Sequence, residues 1–148
     1  MKRIKSEKTK AEGTTAEDYL RASLRAVERI LQRPKYTNTK LDTEEQGIHD
    51  CLGWMRGSLM IALNLREYEK KEPEKEGITA EQDLKVSIQV LENMMQKQEY
   101  SNAKFGTEEH GFRECLGWMR ATFKIAVELM EAEKEERERE IESEEEDA

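Results

Sequence analysis

Leu20, Leu24, Val27, Ile30 and Leu31 stand three or four residues apart in an otherwise polar stretch, with Leu31 beside Ile30. That spacing lines one face of an α-helix. Thr15-Ala16-Glu17-Asp18 puts an acceptor three residues behind a capping hydroxyl, so the helix is expected to open at Thr15. It should end near Arg33, where Pro34 stops it. The pattern returns 64 positions later as Leu84, Ile88, Leu91, Met94 and Met95 behind Thr79-Ala80-Glu81-Gln82. This second copy should end near Lys97, and Gln98 in place of Pro34 should let it run on by a residue or two.

A loop of about nine residues follows each of these helices. Thr43-Glu44-Glu45-Gln46 and Thr107-Glu108-Glu109-His110 then read as capping boxes, His110 being the poorer back-bonding partner. The helix they open carries two apolar stripes. Ile48, Leu52, Met55, Leu59 and Ala62 form one; Cys51, Trp54, Ile61 and Leu65, with Ser58 between, form the other. A helix apolar on two sides packs on two sides and belongs at the centre of a bundle. Residues 70–76, with Pro73, interrupt the helix pattern. The last helix is expected to continue through residues 131–140, aided by the pairs Glu133–Arg137 and Glu135–Arg139.

Residues 13–72 and 77–136 are thus one unit written twice. Cys51-Leu52-Gly53-Trp54-Met55-Arg56 returns as Cys115-Leu116-Gly117-Trp118-Met119-Arg120. A unit of about 60 residues is marginal alone, so two should share one core. The expected fold is all-α: a four-helix bundle built from two tandem αα-hairpin repeats with pseudo-two-fold symmetry and an acidic C-terminal extension. One helical domain should span residues 13–140, between a basic flexible N-terminus (1–12) and an acidic disordered tail (141–148).

Composition refines this picture at the two ends. Of 148 residues, 36% are hydrophobic and 39% charged, with a formal net charge of −8. Residues 131–148 hold eleven acids and three bases, which accounts for the whole net charge. Met1–Lys10 holds five bases and one acid. The N-terminal stretch has no apolar run and is not expected to be a signal peptide. No stretch reaches the roughly 18 apolar residues of a membrane span, so no membrane partner is expected. The two cysteines, Cys51 and Cys115, have no Cys or His at metal-ligand spacing. They point to buried thiols in a reducing, cytoplasmic setting.

Candidate chemistry lies first on the face of the long helix that the apolar stripes leave free. Gly53 beside Arg56 and Gly117 beside Arg120 occupy it. Glycine in a helix interior costs about 1 kcal/mol relative to alanine, so something is expected to approach that backbone. The loop residues Tyr36, Asn38 and Lys40, with Tyr100, Asn102 and Lys104, are the candidates. Either they pack on the glycines, with Arg56 and Arg120 on loop carbonyls and Leu41 and Phe105 anchored in the core, or they form paired pockets for an acidic group, which an arginine fork suits. A second candidate is the basic ridge Arg21, Arg25, Arg29 and Arg33, which could meet an acidic protein surface, nucleic acid or the chain's own tail. It has no interleaved aromatics for base stacking, which counts against nucleic acid.

Catalytic patterns find little support. There is no Glu-x-x-His of the kind di-iron bundles use, no phosphate-cradling glycine loop and no nucleophile elbow. No metal or cofactor is expected. The chain reads as a non-catalytic protein-interaction module, an adaptor or inhibitor, presenting duplicated Gly/Arg surfaces to a macromolecular partner. The alternatives are a small-ligand or nucleotide binder with two equivalent sites and, behind it, a metal-dependent nucleotide hydrolase using Glu44, Glu45, Glu108 and Glu109. A repeated surface is also compatible with a homodimer.

Overall fold

The computed structural model describes residues 14–147; the basic N-terminus and Ala148 lie outside this range. The described residues are all-α and contain no strand. In chain order the helices are α1 (Ala16–Leu31), α2 (Pro34–Thr37), α3 (Glu44–Lys71), α4 (Ala80–Met95), α5 (Gln98–Ser101) and α6 (Glu108–Asp147). The expected caps are present. Thr15 accepts from the Asp18 amide, and Thr79 with Gln82 forms a full capping box. Thr43 and Thr107 accept from the amides of Gln46 and His110. The return halves of those two boxes are missing, because Gln46 bonds Asp50 and Thr39 while His110 turns to Glu44.

The helices pack as a bundle around a core that includes Leu20, Val27, Leu52, Met55, Leu59, Leu84, Leu91, Leu116, Met119 and Phe123. Burying each of the larger aliphatic side chains contributes about 1.5–3 kcal/mol. The broadest interface joins α3 and α6; α1 packs mainly on α3, and α4 mainly on α6. The two long helices run in the same direction. Their first turns meet at Gly47 and Gly111, and near their other ends the Arg66 guanidinium is 2.9 Å from Glu133.

The α3–α6 seam is lined with small residues. Gly47, Cys51, Ser58 and Ala62 occupy one side and Gly111, Cys115, Thr122 and Ala126 the other, all buried. At the first turn the backbones almost touch. A Cβ on Gly47 would stand 2.0 Å from the Glu108 carbonyl oxygen, and one on Gly111 2.1 Å from that of Glu44.

Polar contacts between the hairpins recur at the same 64-residue offset. At one end, Asp42 donates its amide to Glu108 (2.9 Å) and Gly106 donates to Glu44 (3.3 Å). At the other, the first amide of α1, Ala16, donates to Glu133 (2.7 Å), and the first amide of α4, Ala80, donates to Glu69 (2.6 Å). Each carboxylate satisfies an amide left over at a loop or a helix start, where the helix dipole also favours negative charge.

Four expectations need correction. The loops contain one-turn helices, α2 and α5, because Pro34 and Gln98 each sit at the first helical position of a new turn. Gln98 therefore does not prolong α4, which ends at Met95 as α1 ends at Leu31, two residues earlier than anticipated. Ile61, placed in a core stripe by spacing, is 53% exposed although Cys51 of the same stripe is fully buried, because only part of that stripe faces a neighbouring helix. The acidic stretch from residue 141 is helical to Asp147. It contains no glycine or proline, and glutamate is a good helix former.

Replacing Gly47 or Gly111 by alanine should lower stability by roughly 1–3 kcal/mol or more in urea denaturation, since backbone must move to admit the methyl group. Gly53→Ala should do the opposite, gaining about 0.5–1 kcal/mol, because nothing lies within 4 Å of its Cβ position.

Candidate functional site

The Gly/Arg stripe and the loop residues do not come together. Arg56 points to its own hairpin's first helix, where its Nε is 3.0 Å from Glu28. Arg120 makes the same bond to Glu92, with Lys124 3.7 Å from that carboxylate. Neither arginine bonds a loop carbonyl among the described residues. Arg56 is twelve residues along α3 from Glu44, roughly 18 Å at the rise of an α-helix. The partners in both pairs are substantially solvent-exposed, a setting in which an ion pair is worth about 0–1 kcal/mol. Nothing lies within 4 Å of a Cβ on Gly53 or Gly117, so neither Tyr36 nor Tyr100 covers the glycine. This face is open helix surface crossed by two ion pairs.

The basic ridge is also divided. Arg21 is held by Glu17 (2.8 Å) and Glu67 (3.2 Å). Arg25 and Arg29 are exposed with no acidic partner among the described residues. Arg33 caps α2, its carbonyl accepting from the Tyr36 and Thr37 amides. The acidic stretch does not fold back onto the ridge; it continues α6 in line.

The loops are where the structure gathers the predicted residues. Tyr36 is buried, with the Lys35 ammonium 5.2 Å from its ring centroid. Tyr100 stacks on Phe112 at 5.3 Å. Burial, then the nearby carboxylates of Glu99, Glu109 and Glu108, push its phenol pKa up. Both tyrosines therefore serve as loop anchors. Asn38 and Asn102 end the one-turn helices, and their side chains are exposed. The carbonyls of Lys40 and Lys104 each accept from a threonine hydroxyl, Thr43 and Thr107, at 2.6 Å.

The apex of each turn is apolar and faces water. Leu41 is 82% exposed and Phe105 86%. The expectation that they anchor the loops in the core is overturned. The next residue in each turn has a left-handed backbone, Asp42 at φ 64° and Gly106 at φ 89°, conformations that Asp tolerates and Gly adopts freely. The reversal aims the preceding side chain outward. The amides of Asp42 and Gly106 are then held by Glu108 and Glu44 of the opposite hairpin. His110 lies 2.7 Å from Glu44 and edge-on to the Phe105 ring, 5.1 Å between centroids. The result is two braced turns at one end of the bundle, each with a large apolar tip flanked by a lysine. Glu44 and Glu108 are engaged in this brace. Among the described residues no group of three or more His, Cys, Asp or Glu side chains is placed to hold a metal ion, and no helix is long and apolar enough to cross a membrane.

A cleft of about 440 Å³ lies elsewhere, against the α3–α4 connection, lined by Arg66, Tyr68, Lys70, Lys75, Ile78 and Arg137 among others. That connection occurs once in the chain, so the cleft is not one of two matched pockets. A turn-apex signal for Leu41 and Phe105 was present in the sequence: both lie two residues before a capping threonine, and Phe105 directly precedes a glycine.

Glu44→Ala should speed amide hydrogen exchange at Gly106 and cost about 1 kcal/mol of stability, leaving the slow exchange of core amides in rank order. The Glu92 pKa is lowered, first by its hydrogen bond from Arg120. A carboxylate whose folded pKa lies below the unfolded value of 4.5 stabilises the fold above that value and loses its contribution as pH falls through the folded pKa. The thermal midpoints of wild type and Arg120→Ala should therefore differ near neutrality and converge as pH falls below 4.5 through the folded pKa; a constant gap would contradict the assignment.

No protein-family model matches this chain, and no curated protein or solved structure matches it either.

Proposed function

We propose that the protein is a non-catalytic protein-interaction module that docks through the paired loop tips rather than through the Gly/Arg helix faces. The fold that carries them we infer to be a four-helix bundle of two tandem αα-hairpins related by an approximate two-fold axis. Contacts that repeat at the 64-residue offset support that arrangement: Arg56–Glu28 with Arg120–Glu92, Asp42–Glu108 with Gly106–Glu44, and Ala16–Glu133 with Ala80–Glu69.

The observation that carries the functional reading is the pair Leu41 and Phe105. Large apolar side chains exposed beyond four-fifths at matched positions contribute nothing to the core. They are held on turns that both hairpins brace, so little entropy is lost in ordering them on a partner. Burying each tip would contribute about 1.5–3 kcal/mol, and two tips engaging one partner reinforce each other through effective concentration. The fitting partner is a folded protein with two apolar pockets or a groove spanning both tips. Lys40, Lys104, Asn38 and Asn102 supply the polar rim that surrounds such contacts.

Affinity capture from a native lysate, with bound proteins identified by mass spectrometry, tests the reading. Leu41→Ser with Phe105→Ser should reduce capture of the specific partner by more than about tenfold, with an unchanged helical circular-dichroism signal. Arg56→Ala with Arg120→Ala should leave capture intact. Loss in the arginine variant and survival in the tip variant would return the function to the helix stripe.

A further inference from the structure

Cys51 and Cys115 follow Gly47 and Gly111 by four residues, so each lies one turn further along the same face of α3 and α6. The two thiols therefore meet across the seam just beyond the point of closest backbone approach. Cys51 is fully buried and Cys115 is 5% exposed. Both are free, and both line the seam one turn beyond the point where a Cβ on Gly47 would stand 2.0 Å from the Glu108 carbonyl oxygen. A disulfide needs Cα atoms about 4.4–6.8 Å apart, whereas ordinary helix pairs keep their axes about 8–10 Å apart. At Gly47 and Gly111, one turn away, the two backbones approach closely enough that neither position has room for a Cβ. Neither thiol takes part in the braced turns.

We propose that Cys51 and Cys115 form a redox-sensitive lock, in which a two-electron oxidant of the peroxide class joins them in a disulfide that ties α3 to α6. One thiol gives up its proton and its sulfur attacks a peroxide oxygen. The O–O bond breaks, one oxygen leaves as water and a sulfenic acid remains. The second thiol attacks that sulfur; the S–S bond forms, the S–O bond breaks, and the hydroxyl leaves with the second proton as water. In total, two thiols and one hydrogen peroxide give one disulfide and two waters, with sulfur oxidised and peroxide oxygen reduced. The neighbouring Cys115 thiol, and burial after it, hold the Cys51 pKa above the usual cysteine range. The resting pair is therefore the dithiol, and closure is slow. The lock lies about two helical turns below the brace at Glu44 and Glu108, so it fixes the helix crossing that sets the distance between the two tips.

The test oxidises the folded full-length chain with hydrogen peroxide at mildly alkaline pH over hours, then unfolds it in an alkylating reagent. The expected product is a monomer that takes up no alkyl groups and regains two after treatment with dithiothreitol. Its digest should contain the Cys51 and Cys115 peptides joined, two hydrogens lighter than their sum. Its thermal midpoint should lie roughly 10 °C above that of the reduced chain. Cys115→Ser should show no joined peptide and no such rise; Cys51→Ala serves the same purpose should that variant not fold. Two thiols still alkylatable in the oxidised wild type, sulfinic acid in place of the joined peptide, or disulfides between chains would each overturn the proposal.

Discussion

Everything in this molecule depends on how closely α3 and α6 approach. At Gly47 and Gly111 each backbone occupies the space where the other's Cβ would be, and Cys, Ser or Thr, and Ala keep the seam narrow beyond it. Van der Waals attraction falls steeply with distance, so a seam of small residues makes up in closeness what it lacks in side-chain area. With larger residues there, the pair would stand further apart. The larger hydrophobics are displaced to the flanks instead, where Leu52, Met55 and Leu59 of α3 and Leu116, Met119 and Phe123 of α6 form the core shared with α1 and α4.

The same closeness lets the hairpins complete one another. Carboxylates from one hairpin satisfy amides of the other at both ends of the bundle: Glu44 and Glu108 at the loops, Glu69 and Glu133 at the starts of α4 and α1. A lone hairpin would leave those amides to water and expose the seam. Of the four glutamates at the starts of α3 and α6 that the sequence offers as metal candidates, Glu44 and Glu108 are engaged in this bracing.

Gly53 and Arg56 illustrate why a helical wheel misleads about function. The wheel places them correctly on the outer face. It does not tell whether a loop lies over that face, and here none does. The ion pair to Glu28 crosses between helices whose relative rotation is set by the core. Leu41 and Phe105 show the reverse case. Their apolar character pointed to burial, but the left-handed residue after each one turns the chain and puts the side chain in solvent.

The sequence by itself determined the four longer helices, their capping threonines, the central position of the long pair and the fact that each feature occurs twice. These follow from local spacing and hydrogen bonding, which act within one or two turns. Gly47 and Gly111 were visible as repeated letters, yet nothing local marks them as a contact rather than as weak helix formers. Only the tertiary structure decided which faces meet, which carboxylates are engaged, and that Leu41 and Phe105 rather than Gly53 and Arg56 stand out as the unexplained surface. The physical reason is range: periodicity says which way a side chain leaves its own helix, while exposure and pairing depend on how closely another backbone approaches.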